Sequence, residues 1–173
     1  MRLRFPISRI AALHGRYVYP RTESELMQLT PLIRRQGYLT KEQLQRLAHW
    51  KSPRSAGKVE ANTEGFVREI TGLALTASDE RTRIEPLTLL DGVSWPTASV
   101  ILHLFHLDKY PLLDVRALWS VSAKPSSAHN FALWEKYVAF TRGIAERALV
   151  DMRVLDRALW QYSRENQGKL SEV

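Results

Sequence analysis

No stretch of this chain alternates apolar and polar residues with period two for long enough to build a half-buried strand, whereas apolar residues recur repeatedly at helical spacing. Phe66, Ile70, Leu73 and Ala77 do so, as do Phe131, Trp134, Val138 and Ala145, and then Met152, Leu155, Leu159 and Tyr162. The pattern restricts the chain to an all-α fold, a compact bundle of about eight helices without internal repeats. With 173 residues, 45% of them hydrophobic, it can bury a real core, as one compact domain or two tightly packed lobes.

Helix punctuation divides the chain further. Residues 1–21 mix Pro6, Gly15 and Pro20 with arginines and aromatics, which predicts an irregular arm with one helical turn around Ile10 to Leu13. Thr22 to Glu25 reads as a capping box opening a helix that Pro31 breaks and Gly37 ends. Thr40 to Gln43 is a second box, with Leu39 and Leu44 as its hydrophobic staple. Lys51-Ser52-Pro53-Arg54-Ser55-Ala56-Gly57-Lys58 is rich in breakers and predicts a linker. A helix is expected from about Val59 to Thr76, and another, capped near Asp79, through Leu90 with a bend at Pro86. Two more, Pro96 to Leu107 and Val115 to Val121, precede a Lys124 to Ser127 loop and two long C-terminal helices, the last capped by Asp151.

The charge is unevenly placed. Residues 1–58 hold twelve Lys or Arg against Glu23, Glu25 and Glu42, a surplus of nine, so the remaining 115 residues carry −2 of the total +7. A basic end on a near-neutral body suits a polyanionic partner, because Lys and Arg that neutralise phosphates release condensed counterions. The absence of cysteine excludes disulfides, thiolate nucleophiles, iron–sulfur clusters and cysteine zinc sites. His103 and His106 stand one helical turn apart but have no third ligand nearby, so no metal site is expected. No apolar run reaches membrane-spanning length and Met1-Arg2-Leu3-Arg4 opens no signal-peptide core, so the expected location is cytoplasmic, at the nucleoid if the source is bacterial, without a membrane partner. Oligomeric state leaves no mark in the sequence.

The stretch richest in chemistry is Leu89 to Arg116, LLDGVSWPTASVILHLFHLDKYPLLDVR. Gly92 and the small Ser94 allow a sharp turn between two helices that lies close against another surface. The first amides of the following helix have no intrahelical acceptors, and its dipole favours an anion there. Small Thr97 and Ala98 let the two helices approach closely. Asp114, just before Val115, is placed either to cap a helix or to act as a carboxylate.

Leu90-Asp91-Gly92-Val93-Ser94-Trp95-Pro96-Thr97-Ala98 resembles the hairpin of the helix-hairpin-helix (HhH-GPD) DNA glycosylase superfamily, L-P-G-[VI]-G-x-x-T-A in general form. The match continues through a helix and the Tyr110-Pro111 turn to Asp114, at the position of that superfamily's aspartate. The resemblance implies a glycosylase-like helical fold acting on double-stranded DNA. It implies that amides around Gly92, Val93, Ser94, Trp95 and Thr97 hold a phosphate, with a monovalent cation under the turn as the one cofactor to consider. It further implies that Asp114 stabilises an oxocarbenium-like sugar and orients the attacking water. Where bifunctional members carry the Schiff-base lysine this chain has Pro96, so a monofunctional enzyme nearer the alkyladenine type is implied, without lyase activity. Ser94 replaces the second hairpin glycine, and a left-handed backbone there would be strained.

A base extruded from a duplex needs aromatic and hydrogen-bonding groups. Trp50, Trp95, Tyr110 and Trp119 are candidates by their nearness to the basic turn, the hairpin or Asp114, and Asn62 is a further hydrogen-bonding candidate. Lys51, Arg54 and Lys58 around Trp50, and Arg116 beyond Asp114, are candidate phosphate contacts. Residues 79–123 therefore form the expected functional region, beside the basic part at 1–58. The alternatives are a DNA-binding protein that keeps the hairpin and lacks catalysis, and a helical protein-interaction module.

Overall fold

The computed structural model describes residues 1–18, 21–123 and 129–168, and among them it is all-α, with no strand. The Lys124 to Ser127 loop lies outside the described residues. No helix among them is long and apolar enough to cross a membrane. Eleven α-helices form among the described residues, more than the periodicity suggests, because the segment with Pro31 is split in two and short helices form at Ile10–Gly15 and Pro53–Ala56. The chain divides into two compact units, residues 19–110 and residues 1–18 with 111–173. The basic stretch 1–58 and the region 79–123 are therefore each shared out between the two units.

In the 19–110 unit, α2 (Arg21–Gln28) and α3 (Thr30–Gln36) are the two pieces on either side of the break before Pro31. Helix α2 already begins at Arg21, so Thr22 lies inside it and its box is not used. Gly37 closes α3 at φ 77°, in the left-handed region where a glycine costs least. The second box forms as read: the Thr40 hydroxyl accepts from the Gln43 amide at the start of α4 (Lys41–Lys51), and the Gln43 side chain accepts from the Thr40 amide.

The expected linker is folded. Pro53–Ala56 is the short helix α5, and Gly57–Ala61 continues it as a 3-10 turn with Val59 fully buried. Helix α6 (Glu64–Thr76), capped by Thr63, begins later than expected, and its inward face also differs from the sequence reading. Val67, Ile70, Thr71 and Ala74 are buried while Phe66 and Leu73 are exposed. Thr71 can face inward because its hydroxyl donates to the Val67 carbonyl and accepts from the Leu39 amide, which satisfies a polar group in the core.

Helix α7 (Glu80–Ile84) is capped by Asp79, and Pro86–Leu89 is a 3-10 turn leading to the hairpin. Helix α8 (Trp95–Phe105) buries residues on every side, as a central helix should. At its end the Arg34 guanidinium donates to the Phe105 and His106 carbonyls, which a helix C-terminus leaves without partners.

The other unit contains α1 (Ile10–Gly15), α9 (Val115–Ser120), α10 (Phe131–Ala148) and α11 (Met152–Asn166). Helix α11 packs on the other three, and its Asp151 cap accepts from the Arg153 amide. The N-terminal arm is pinned: the Arg2 and Arg4 amides donate to the Val121 and Ser120 carbonyls, and Phe5 is buried.

Candidate functional site

The hairpin lies wholly in the 19–110 unit. Its turn closes when the Val93 amide donates to the Leu90 carbonyl at 3.0 Å. Gly92 has φ 80°, and a Cβ placed on it would stand 2.9 Å from Val59 Cγ2 and 3.0 Å from both the Ser55 carbonyl oxygen and the Val59 amide nitrogen. Glycine is thus required twice, by the dihedral and by the approach of another backbone. That backbone is the α5 segment, so the tertiary fold seats the hairpin on the turn that carries Arg54 and Lys58, both exposed.

Asn62 fastens the contact. Its buried amide donates to the Asp91 and Val59 carbonyls at 3.0 Å and accepts from the Asp91 amide at 2.9 Å. Asn62 is accordingly a brace beneath the hairpin. Ser94 is extended, at φ −93° and ψ 172°, so the strain feared for a non-glycine residue there does not arise. Its side chain makes no capping bond to the α8 amides. Trp95 is half-buried, Val93 is buried, and the buried Thr97 hydroxyl has no hydrogen-bond partner among the described residues. The first turn of α8 thus presents its positive end uncapped by its own N-cap side chain. An exposed carboxylate, Asp91, stands beside it.

Trp50 ends α4 in a groove of about 530 Å³ shared with α2, where Leu26, Glu25, Glu42, Arg46 and His49 also line the walls. Lys51, half-buried, follows it. Tyr110 is fully buried; its hydroxyl donates to Glu80 at 2.7 Å and accepts from Arg83 at 2.6 Å, so it serves the core and offers no face to a base. His103 Nδ1 lies 2.6 Å from the Tyr110 carbonyl and His106 Nδ1 accepts from the Asp108 amide, which commits one nitrogen of each ring to the chain around Tyr110.

Asp114 belongs to the other unit. It is half-buried and caps α9, its carboxylate accepting from the Arg116 amide at 2.9 Å. The chain leading to it is gripped from both sides at Leu112, whose amide donates to the buried Asp156 carboxylate and whose carbonyl accepts from the Tyr137 hydroxyl. Burial, then the nearby Asp156 and Asp114 carboxylates, push the Tyr137 phenol well above its usual range, so it remains a neutral donor. Trp119 is half-buried, with Arg4 lying 4.3 Å from its ring centre and Tyr162 stacked at 5.9 Å.

The sequence reading missed Trp160, near whose ring the guanidiniums of both Arg116 and Arg164 gather. The signal was the spacing of Trp160 and Arg164, one helical turn apart on α11. In comparisons with known proteins, no family model, no curated protein and no solved structure matches the chain.

Proposed function

We propose that this chain is a monofunctional DNA N-glycosylase: it holds duplex DNA by its backbone and hydrolyses the glycosidic bond of a damaged or modified base. The observation that carries the reading is the seating of the Gly92 turn on the segment bearing the exposed Arg54 and Lys58, next to a helix start that its N-cap side chain does not close. On this reading the amides of Ser94 and Trp95, ahead of the fully buried Thr97, bind a phosphate with Lys51, Arg54 and Lys58 alongside, and Arg116 meets the backbone separately in its own unit. Asp114 carries the chemistry. As the bond from C1′ to the base breaks, its carboxylate stabilises the developing sugar cation and orients the water that adds to C1′, leaving free base and an abasic site. Pro96 has no amine, so strand cleavage through a Schiff base is not part of the reading.

The test is base release from a panel of duplexes with alkylated, deaminated and naturally modified bases. Asp114→Asn keeps a side-chain oxygen for the Arg116 amide and so preserves the cap. It should lower release at least a hundredfold while leaving duplex affinity within about twofold. Full release by Asp114→Asn would sink the mechanism. The capping bond itself favours a second reading, in which Asp114 only starts α9 and the protein is a DNA clamp without catalysis; that reading expects salt-sensitive binding and no release from any substrate.

A further inference from the structure

We infer that Arg116 and Arg164, gathered on Trp160, form a second phosphate-binding shelf in the unit made of residues 1–18 and 111–173, and that its ligand is the backbone of a nucleic-acid strand. The inference rests on the nucleic-acid half of the proposed function and is independent of any chemistry at Asp114. Each guanidinium carbon lies 5.5 Å from the centre of the Trp160 ring, so two like charges from α9 and α11 stand at most twice that distance apart. Among the described residues neither has a carboxylate within salt-bridge distance, and Glu165, next to Arg164 in sequence, is taken by Arg16 at 2.8 Å. Arg164 is exposed, and Arg116 and Trp160 are half-exposed.

The indole attracts each cation through the negative face of its ring. That attraction leaves the N–H edges of both guanidiniums without a carboxylate among the described residues. Phosphate groups satisfy those donors, and the oxygens of a phosphodiester suit the planar fork of each guanidinium. A strand suits the surface better than an isolated phosphate because the motif recurs in the same unit: Arg4 lies over Trp119 and Arg9 over Tyr162. A polyanion can meet several such stations, and their counterions are released together.

The experiment titrates the full chain with a short fluorescein-labelled DNA duplex at several salt concentrations, reading anisotropy. Arg116→Gln and Arg164→Gln should each weaken binding about three- to tenfold and reduce the salt slope by about 1. Arg81→Gln is the charge-matched control, since Arg81 is exposed on the other unit and already pairs with Glu85. It should change neither quantity. Trp160→Phe should keep most of the binding and Trp160→Ala should lose it, with thermal melting of each variant showing that it is folded. The inference is overturned if the double arginine variant binds with wild-type affinity and slope. It is equally overturned if a methylphosphonate duplex, with its uncharged backbone, binds as well as DNA, or if a glutamate-rich peptide competes as well as DNA does. Base release is measured separately, so loss of the Asp114 mechanism leaves this test standing.

Discussion

The starts of α8 and α9 are built to similar local plans and use the helix dipole in opposite ways. Each follows an extended N-cap residue, Ser94 in one unit and Asp114 in the other. Asp114 supplies its own anion to the first turn, so α9 is electrostatically complete. Ser94 makes no such bond, and among the described residues the buried Thr97 hydroxyl has no partner, so no N-cap side chain closes the start of α8. Support differs as well. The α8 turn is held by a glycine contact and by Asn62, with cations on the supporting segment, whereas the α9 start is held by Asp156 and Tyr137 at Leu112. A helix that closes its own N-terminus gains stability, and one that leaves it open can, on the proposed reading, take a phosphate there.

The largest expected effect breaks the α8 side of this contrast. Gly92→Ala adds a Cβ within 3.0 Å of two backbone atoms and at φ 80°, so neither the turn nor its seat can yield cheaply. Left-handed strain and overpacking together should cost about 2–4 kcal/mol. Denaturant unfolding measures it, and a loss under about 0.5 kcal/mol would mean that the hairpin is not locked on the α5 segment.

Most local signals carry into the structure, the Thr22 box inside α2 being an exception, whereas tertiary ones are not legible in the sequence. The Thr40 box, the Gly37 stop and the Asp79, Asp114 and Asp151 caps each depend on residues a few positions apart, and each forms. The all-α class followed from periodicity for the same reason. Thr71 misled because its polarity suggests solvent, and only the Leu39 amide, brought in by the fold, makes burial tolerable. Residues 51–58 read as a linker because Ser52, Pro53 and Gly57 break helices, but the hairpin packs there and orders them. The Asn62 brace spans 29 positions and leaves no local trace. Nor does the Trp160 shelf, whose cations come from two helices.

A sharper test converts one helix start into the other. Ser94→Asp gives α8 the self-supplied anion that α9 already has, in a backbone conformation suited to an N-cap. Stability should rise by about 0.5–1 kcal/mol. Duplex DNA affinity should fall about tenfold, because the carboxylate both occupies the amides and repels the phosphate. Gained stability with unchanged affinity would remove the phosphate from the hairpin.

The smallest effect comes from Asp91, whose exposed carboxylate directly precedes Gly92. Only its backbone engages Asn62, so Asp91→Asn leaves the brace intact. A phosphate on the α8 amides would be repelled by that carboxylate, by under about 1 kcal/mol in water at separations beyond ~4 Å. Removing it should tighten duplex binding about two- to threefold at low salt, with the gain fading as added salt shortens the Debye length. The same substitution should not change binding if the phosphate is held only by Lys51, Arg54 and Lys58 away from the turn. Paired titrations at low and high salt therefore separate a clamp centred on the helix N-terminus from one centred on the basic segment beneath it.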